Sequence, residues 1–414
     1  SISLVDASQQ PVRNDVIEGF TPASATDSDT DGFSDILEYG YDTAFPQDDA
    51  DDSGVFRYVS IRHGGYNFSA DNEINGLTLG GVGSGTEIDH VEVIANFDDG
   101  VEFFGGTVNT SNMVVAFCGD DCFDIDQGHS GTHQIWFAIQ NPDKGDNLGE
   151  WDGVDTNVSG QSSKTDANVA ASNPQIWNAT FVGPGSEAVT PSSAKKDNGI
   201  YLDDNFKGAL RNSILHDSGG FLASFASDGA FGTAADAFAN NTVGEFGEYV
   251  SADTEVITGA PVGFYLAFGT PTQGNTAAET APGFADYMRD VSSNLVSIDP
   301  RVSTPNTTVT AGAPTTAYYR GAFGGTNSSN WAACWTWLDE KGYLLIDTDL
   351  DGTYDSIDTD DDNDGLTDAQ EADAGTNPKV ADPAGLVAYI NGLGGGGDTY
   401  TEAELLSLGY MQAE

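Results

Sequence analysis

Basic residues are scarce in this chain. Its 14 Lys and Arg stand against 65 Asp and Glu, a formal net charge of -51 at pH 7. Such a surface has no electrostatic affinity for nucleic acid or for an anionic bilayer, so neither is expected as a partner. It attracts divalent cations instead and suits a salty medium. Long apolar runs are also missing: no stretch of about 18 apolar residues occurs, and no membrane span is expected. Cysteine is nearly absent, with three in 414 residues. The spacings match neither a CxxCH haem site nor a CxxC…CxxC zinc pattern. Cys118 and Cys122 flank Gly119-Asp120-Asp121. Two readings stay open for them: a disulfide across a tight turn in an oxidising compartment, or two small buried hydrophobes. Cys334 lies in the apolar run Trp331-Ala332-Ala333-Cys334-Trp335-Thr336-Trp337 and reads as core. No signal-peptide pattern precedes Ser1, so a mature form with its leader removed is expected.

What is present is a repeated acidic grammar. Asp27-Ser28-Asp29-Thr30-Asp31-Gly32 is followed by Asp35 and Glu38. Asp347-Thr348-Asp349-Leu350-Asp351-Gly352 is followed by Asp355 and Asp358, and Asp360-Asp361-Asp362-Asn363-Asp364-Gly365 by Asp368 and Glu371. Each segment places carboxylates at positions 1, 3, 5, 9 and 12, with glycine at 6. That is the spacing of a calcium loop. Alternate residues turn oxygens inward, the glycine allows a sharp bend, and the last carboxylate binds bidentately. The backbone carbonyl at position 7 completes the set, which adds Phe33, Thr353 and Leu366. Without metal, five carboxylates in twelve residues repel one another and favour disorder. The middle loop ends in Asp358, whose shorter reach weakens the bidentate ligand. An acidic solvated linker is the bland alternative, but one register repeated at three places argues against it. Ca²⁺ is therefore the expected cofactor. Loops of this kind fill at millimolar calcium, which points to an extracellular or cell-surface location.

The middle of the chain repeats as well. Gly100-Val101-Glu102-Phe103-Phe104-Gly105-Gly106 is echoed by Cys122-Phe123-Asp124-Ile125-Asp126-Gln127-Gly128, a step of 22 residues. Short strand patterns with glycine or aspartate turns recur at 58–62, 76–79, 90–94, 113–117, 134–139, 175–181, 199–203 and 209–215. Strands this short at so regular a period argue all-β structure. Identical residue types at one offset favour stacked coils over a sandwich. The expected fold is a right-handed parallel β-helix, with small helices and calcium loops at both ends. The 51 glycines then serve as corner residues.

The expected organisation is an N-terminal segment with a calcium loop (1–54), the β-helix (55–345), tandem calcium loops (346–378) and a short helical tail (379–414). Two excursions, 141–172 and 222–330, interrupt the helix. A short helix is expected near Gly283–Arg289, and the apolar stretch 331–345 is expected to close the solenoid end. The tail reads as helices at Pro383–Leu393 and Thr401–Gln412, joined by Gly394–Gly397.

Three stretches carry a family resemblance. They are Ile74-Asn75-Gly76-Leu77-Thr78-Leu79-Gly80-Gly81-Val82-Gly83-Ser84-Gly85-Thr86, Val101-Glu102-Phe103-Phe104-Gly105-Gly106-Thr107-Val108-Asn109, and Tyr319-Arg320-Gly321-Ala322-Phe323-Gly324 with Trp335-Thr336 after it. The chain resembles large secreted and lipid-anchored β-helix proteins of marine bacteria over about residues 55–340. The resemblance implies the fold and no activity. The acidic loops, with Gly375-Thr376-Asn377-Pro378, resemble thrombospondin type 3 repeats. That likeness implies calcium-ordered stalks or connectors.

Parallel β-helices also host polysaccharide lyases and hydrolases. Glu102 and Asp124 share an offset, and Asp152 and Asp203 are expected to continue their column. Stacked carboxylates can hold Ca²⁺ against a uronic acid or act as an acid/base pair. A lyase needs a base beside them. Arg62, His63, His129, His133, Lys207, Arg211 and His216 lie at scattered offsets and form no recognisable constellation. The H-x3-H pair His129/His133 lacks a third zinc ligand at hand. No catalytic residue is assigned. Trp136, Trp151, Trp177, Tyr201 and the Trp331/Trp335/Trp337 cluster suit either sugar stacking or, better, stacking inside the solenoid.

The expected function is an extracellular calcium-binding structural protein that self-assembles head to tail into a filament or cell-surface layer. The alternatives are a calcium-dependent polysaccharide lyase or hydrolase, and a carbohydrate-binding adhesin for a surface polysaccharide.

Overall fold

The computed structural model describes residues 14–16, 38–40, 48–66, 74–140, 142, 144–153, 172–185, 199–203, 206–225, 236–252, 274–278, 283–315 and 317–382, with 387, 390–392 and 401. Most of the first acidic loop, the segment 154–171 and most of both expected tail helices lie outside them. Glu38 alone of that loop is described: it opens the strand Glu38–Gly40, antiparallel to Asn14–Val16.

The chain is a parallel β-helix with three faces. The first face stacks Leu77–Gly80, Val101–Phe104, Phe123–Asp126, Gly149–Trp151, Ile200–Leu202 and 223–225, all parallel. The second stacks 55–57, 87–89, 109–111, 132–134, Gln175–Trp177, Ala209–Arg211 and Phe238–Ala239. The third stacks 59–62, 91–94, 113–116, 136–139, Thr180–Val182, 214–216, 242–244 and Thr276–Ala278.

One residue per coil makes the bend between the second and third faces. Tyr58, His90, Asn112, Ile135, Asn178, Asn212 and Asn240 occupy successive coils, with φ between 50° and 62°. Left-handed backbone is costly for most L-residues and least so for asparagine, whose short polar side chain bonds locally. That preference accounts for the asparagines in the column.

Inside, aromatic rings stack from coil to coil. Phe123 and Trp136 lie 4.1 Å apart at an interplanar angle of 4°, with Phe103 and Phe181 beside them. Trp151 stacks on Phe206 in the next part of the core. Trp136 and Trp151 are thus fully enclosed. Trp177 sits beneath the Arg211 guanidinium.

The third face is apolar on its outer side too. Ile94, Val114, Ala116, Phe137, Ile139, Val182 and Ile214 face away from the lumen and form a second core with Phe284, Leu295, Ile298, Phe323, Leu338 and Leu344. A face buried on both sides needs near-continuous apolar strands, as in Trp136-Phe137-Ala138-Ile139. The covering layer is an antiparallel hairpin, Phe284–Arg289 with Leu295–Val302, and the strap that follows it. Residues 284–289 are therefore a strand where a helix was expected. Their alternating burial and the partner strand outweigh local propensity. The stretch 331–345 lies on this flank and not across the solenoid end, because the flank is where apolar surface needs cover. Within 222–330, the segments 238–252 and Thr276–Ala278 remain in the coil ladder.

The strap follows the asparagine column. Asn178 Nδ2 donates to Tyr319 O at 2.7 Å, and Asn212 exchanges two bonds with the Thr310 backbone. Arg320, almost wholly buried, donates to Thr308 O, Asn241 O and Gly274 O. Burial lowers its pKa to about 10.

Candidate metal centres

Two calcium-type loops lie fully within the described residues, and they fold alike. In the first, one oxygen each from Asp347, Asp349 and Asp351 lie within 4.8 Å of one another. In the second, Asp360, Asp362 and Asp364 do the same. Position 4 is left-handed in both, at Leu350 (φ 64°) and Asn363 (φ 57°). Position 6 is left-handed glycine, at Gly352 (φ 99°) and Gly365 (φ 95°), a region that a side chain enters only with strain. Short side-chain-to-backbone bonds tighten each turn: Asp351 N to Asp349 Oδ1, Thr353 N to Asp351 Oδ1, Asp364 N to Asp362 Oδ1 and Leu366 N to Asp364 Oδ1.

The remaining loop positions divide by role. At position 9, Asp355 accepts from both the backbone N–H and the hydroxyl of Thr348 at 2.9 Å, while Asp368 accepts from Asp361 N at 3.1 Å. Both carboxylates thus clamp position 2 of their own loop. At position 12, Asp358 Oδ1 accepts from Thr359 N and Asp360 N, which caps the start of the next loop. Glu371 behaves differently. It sits in the helix Asp368–Ala374, started by a Thr367/Gln370 capping box, and is 0% exposed. Burial raises its pKa to about 7, with the Asp362 and Asp364 carboxylates adding to the effect. Thr353 and Leu366 occupy position 7, where the main-chain carbonyl is the donor oxygen.

Asp347 Oδ1, Asp360 Oδ1, Asp362 Oδ2 and Glu371 Oε2 are enclosed and accept no hydrogen bond. Buried acceptors are ordinarily satisfied. Burial also raises the pKa of Asp362 to about 6 and that of Asp360 above its ordinary value. Orphaned oxygens on closely spaced carboxylates, with no nitrogen or sulfur donors, fit a hard divalent cation such as Ca²⁺.

The two loops act as one body. Asn363 Nδ2 donates to Asp349, and Asp382 N reaches back to Asp364 Oδ2 at 2.8 Å. Lys379 bridges Asp355 at 3.1 Å and the strap residue Asp339 at 3.7 Å. The body is tied to the hairpin through Leu345 N to Ile298 O, and Asp355 N bonds Ile346 O.

A second acid-rich region lies on the first face. Glu102 and Asp124 are register partners, as their common offset implies. The column continues to Glu150 and Tyr201, not to Asp152 and Asp203. The step from Asp124 to Glu150 is 26 residues instead of 22, so counting from the earlier coils misses it. Asp152 and Asp203 follow Asp126 at the next corner, where Asp152 N bonds Ile125 O and Asp203 N bonds Trp151 O. One position set earlier, Asp121 N donates to Asp99 Oδ1 at 2.9 Å, and Asn147 N donates to Asp121. Burial, then the neighbouring Glu102 and Asp99 carboxylates, pushes Asp124 well above the usual carboxylate range. The repeated Asp-(Asp/Asn)-x-x-(Glu/Asp) at 98–102, 120–124 and 146–150 is the sequence signal that would have found this grouping.

His129 and His133 belong to the core. A hydrogen-bond chain runs from Trp136 Nε1 to Thr110 Oγ1, to His133 Nδ1, between the two Nε2 atoms at 2.9 Å, and from His129 Nδ1 to Gly105 O. Every donor and acceptor in it is used with both rings neutral, so an added proton would set two N–H groups against each other. Burial lowers the His129 pKa to about 4. Cys118 and Cys122 are buried free thiols, and burial pushes Cys118 up to about 12.

Comparison with known proteins accords with this geometry. A family model described as a pectate-lyase-like beta helix domain matches residues 16–336. A model of the bacterial TSP3 repeat, a calcium-binding type, matches residues 360–381. No curated protein and no solved structure matches the chain. The chain belongs to the pectate-lyase-like β-helix family and carries a TSP3 repeat behind that domain.

Proposed function

We propose that this family member is an extracellular calcium-binding structural subunit that assembles head to tail into a filament or surface layer. The observation that carries the reading is the set of orphaned carboxylate oxygens in two consecutive loops, Asp347 Oδ1, Asp360 Oδ1, Asp362 Oδ2 and Glu371 Oε2. Asp347, Asp349 and Asp351 hold one Ca²⁺; Asp360, Asp362, Asp364 and Glu371 hold another. Bound calcium supplies charge neutralisation, so the module stiffens only where calcium is plentiful. Its ties to the hairpin and strap pass that stiffness to the solenoid flank. The same spacing at Asp27, Asp29, Asp31, Phe33, Asp35 and Glu38 supports a third calcium loop nearer the start of the sequence.

Self-assembly draws support from the first coil. Among the described residues, the strands Val55–Arg62 and Leu77–Gly80 each have a neighbour on one side only. Val55 and Tyr58 are exposed there. An open strand edge is a template for another chain, and head-to-tail contact that does not close gives a fibre. Negative-stain electron microscopy with and without EDTA tests this. Filaments or sheets that vanish on chelation are the expected result; assemblies unchanged by EDTA, or single rods in both conditions, would sink it.

A groove of about 730 Å³ favours a second reading, a carbohydrate-binding adhesin. Thr86, Asp89, Asn109, Ser111, Thr132 and Gln134 line it, with Pro314 and Thr315 of the strap on one side. Rows of hydroxyl and amide groups repeated at the coil spacing suit a linear polar polymer. Glycan-array binding that survives loss of calcium would favour this reading over the first.

A further inference from the structure

We infer that the groove along the second face takes an uncharged linear glycan, laid along the solenoid axis, and excludes polyuronates. The inference rests on the carbohydrate-binding reading of that groove and names its ligand class.

The ladder builds the floor. On the strand segments 87–89, 109–111 and 132–134, the middle residues Ile88, Thr110 and His133 are buried. Alternation along a strand puts the residues on either side of them on the outer surface. There Glu87 is in register with Asn109, Asp89 with Ser111, and Ser111 with Gln134. Each step from coil to coil is ~4.8 Å, close to the length of one sugar residue. A glycan running across the strands therefore meets a polar side chain at every step.

These groups are set before a ligand arrives. Asn109 Oδ1 accepts from Thr132 N at 2.8 Å, which fixes the amide and leaves Nδ2 to donate. Ser111 Oγ donates to Asp89 Oδ1 at 2.6 Å, which leaves the hydroxyl oxygen to accept. Thr315 N and Oγ1 donate to Gln134 Oε1 at 2.8 and 2.9 Å, so the strap wall is fastened to the floor. Groups already held in place lose less freedom on binding. Sugar hydroxyls both donate and accept, so they match such a row. A polypeptide fits it poorly. Peptides add to a sheet through an open strand edge, whereas each of these three segments has a neighbour on both sides.

Charge decides the class of glycan. Among the lining residues Arg57 is the one cation, against Glu87 and Asp89. Its guanidinium is paired with Glu87 and stands 3.7 Å from Asp89. The floor therefore keeps a negative balance, in a chain of net charge -51. A uronate carboxylate would meet like charge there, with the single guanidinium already engaged. Like-charge contact works against the wrong partner. A neutral sugar carries no such penalty, and Asn109, Thr132, Gln134 and Thr315 offer it an uncharged stretch.

Isothermal titration of the full chain at millimolar calcium tests this. The probes are neutral hexasaccharides of glucose, xylose, mannose and galactose, set against hexasaccharides of galacturonate and mannuronate. At least one neutral oligomer is expected to bind, and neither uronate. Asn109→Ala with Thr132→Ala is expected to weaken neutral binding about tenfold, as for the loss of one or two hydrogen bonds. Ser111→Trp is expected to block it. An unchanged melting temperature shows that each variant is folded. A uronate that binds as tightly as any neutral oligomer overturns the ligand class, and leaves the adhesin reading standing if the groove variants abolish it. Neutral binding indifferent to all the variants overturns the inference too, because the glycan then sits elsewhere on the adhesin. Absence of binding by every probe overturns both.

Discussion

The two acid-rich regions gather carboxylates by opposite means. In the C-terminal loops the gathering is local. Left-handed turns at Leu350, Gly352, Asn363 and Gly365 curl twelve residues around a point, and the carboxylates bond the loop's own backbone. On the first face it is global. Asp99, Glu102 and Asp124 meet because the β-ladder sets one coil on the next. A local site follows from spacing and survives change elsewhere. A register-built site exists only while the solenoid core holds the coils in step.

The harshest way to break that contrast is to empty the core. Trp136→Ala removes a ring stacked on Phe123 and the donor that starts the histidine chain. A loss of about 3–5 kcal/mol is expected, as for large-to-small aromatic substitutions in cores. Chemical denaturation measures it. Calcium binding at the C-terminal loops should outlast the loss of coil register, because their carboxylates are gathered locally.

Acid separates the regions next. His129 stays neutral in the fold down to about pH 4, while an unfolded histidine takes up its proton near 6.5. The unfolded state therefore binds more protons between those values, and stability falls as pH drops from about 6.5 towards 4. The expected loss is about 3 kcal/mol for His129 alone. Its signature is a slope in urea midpoints over that window, flattened in His129→Asn. No slope there would mean that the ring is protonated in the fold.

Calcium removal acts mainly on the local region. At a free concentration about 100 times its Kd, calcium stabilises by about 2.7 kcal/mol per site, which chelation withdraws. Limited proteolysis should then cut first between residues 347 and 378, with the solenoid fragment persisting. Asp360→Ala with Asp362→Ala should give the same pattern in calcium-replete buffer. Simultaneous loss of solenoid and loops would show that they unfold as one unit.

The finest distinction is Thr367→Ala, which deletes the cap of the Glu371 helix. About 1 kcal/mol is expected. The change should weaken calcium binding at the second loop more than at the first, because that helix carries Asp368 and Glu371, both of the second loop. Terbium titration of single-loop variants would resolve the two sites.

Much of this was legible in the sequence for physical reasons. Glycine and aspartate at fixed loop positions are local requirements, so the loops at 347–358 and 360–371 could be read directly. The period of 22 between Gly100 and Cys122 is a near-neighbour property of stacked coils, so the solenoid could be read too. What failed was counting across an irregular coil: Glu150, not Asp152, follows Asp124. Division of labour within the loops was equally invisible. Nothing in the spacing says that Asp355 and Asp368 bond the position-2 backbone while Glu371 keeps a free oxygen. The strand at 284–289 escaped detection because its partner is decided by packing on the flank.

The sequence by itself determined the coil repeat and the acidic loops, since each depends on residues close together along the chain. Tertiary structure alone decided that the strap covers the third face, that His129 and His133 join a buried neutral chain, and that Asn75 meets Glu102. Spacing along the chain does not tell which way those side chains face, and only the burial of the apolar faces decides it.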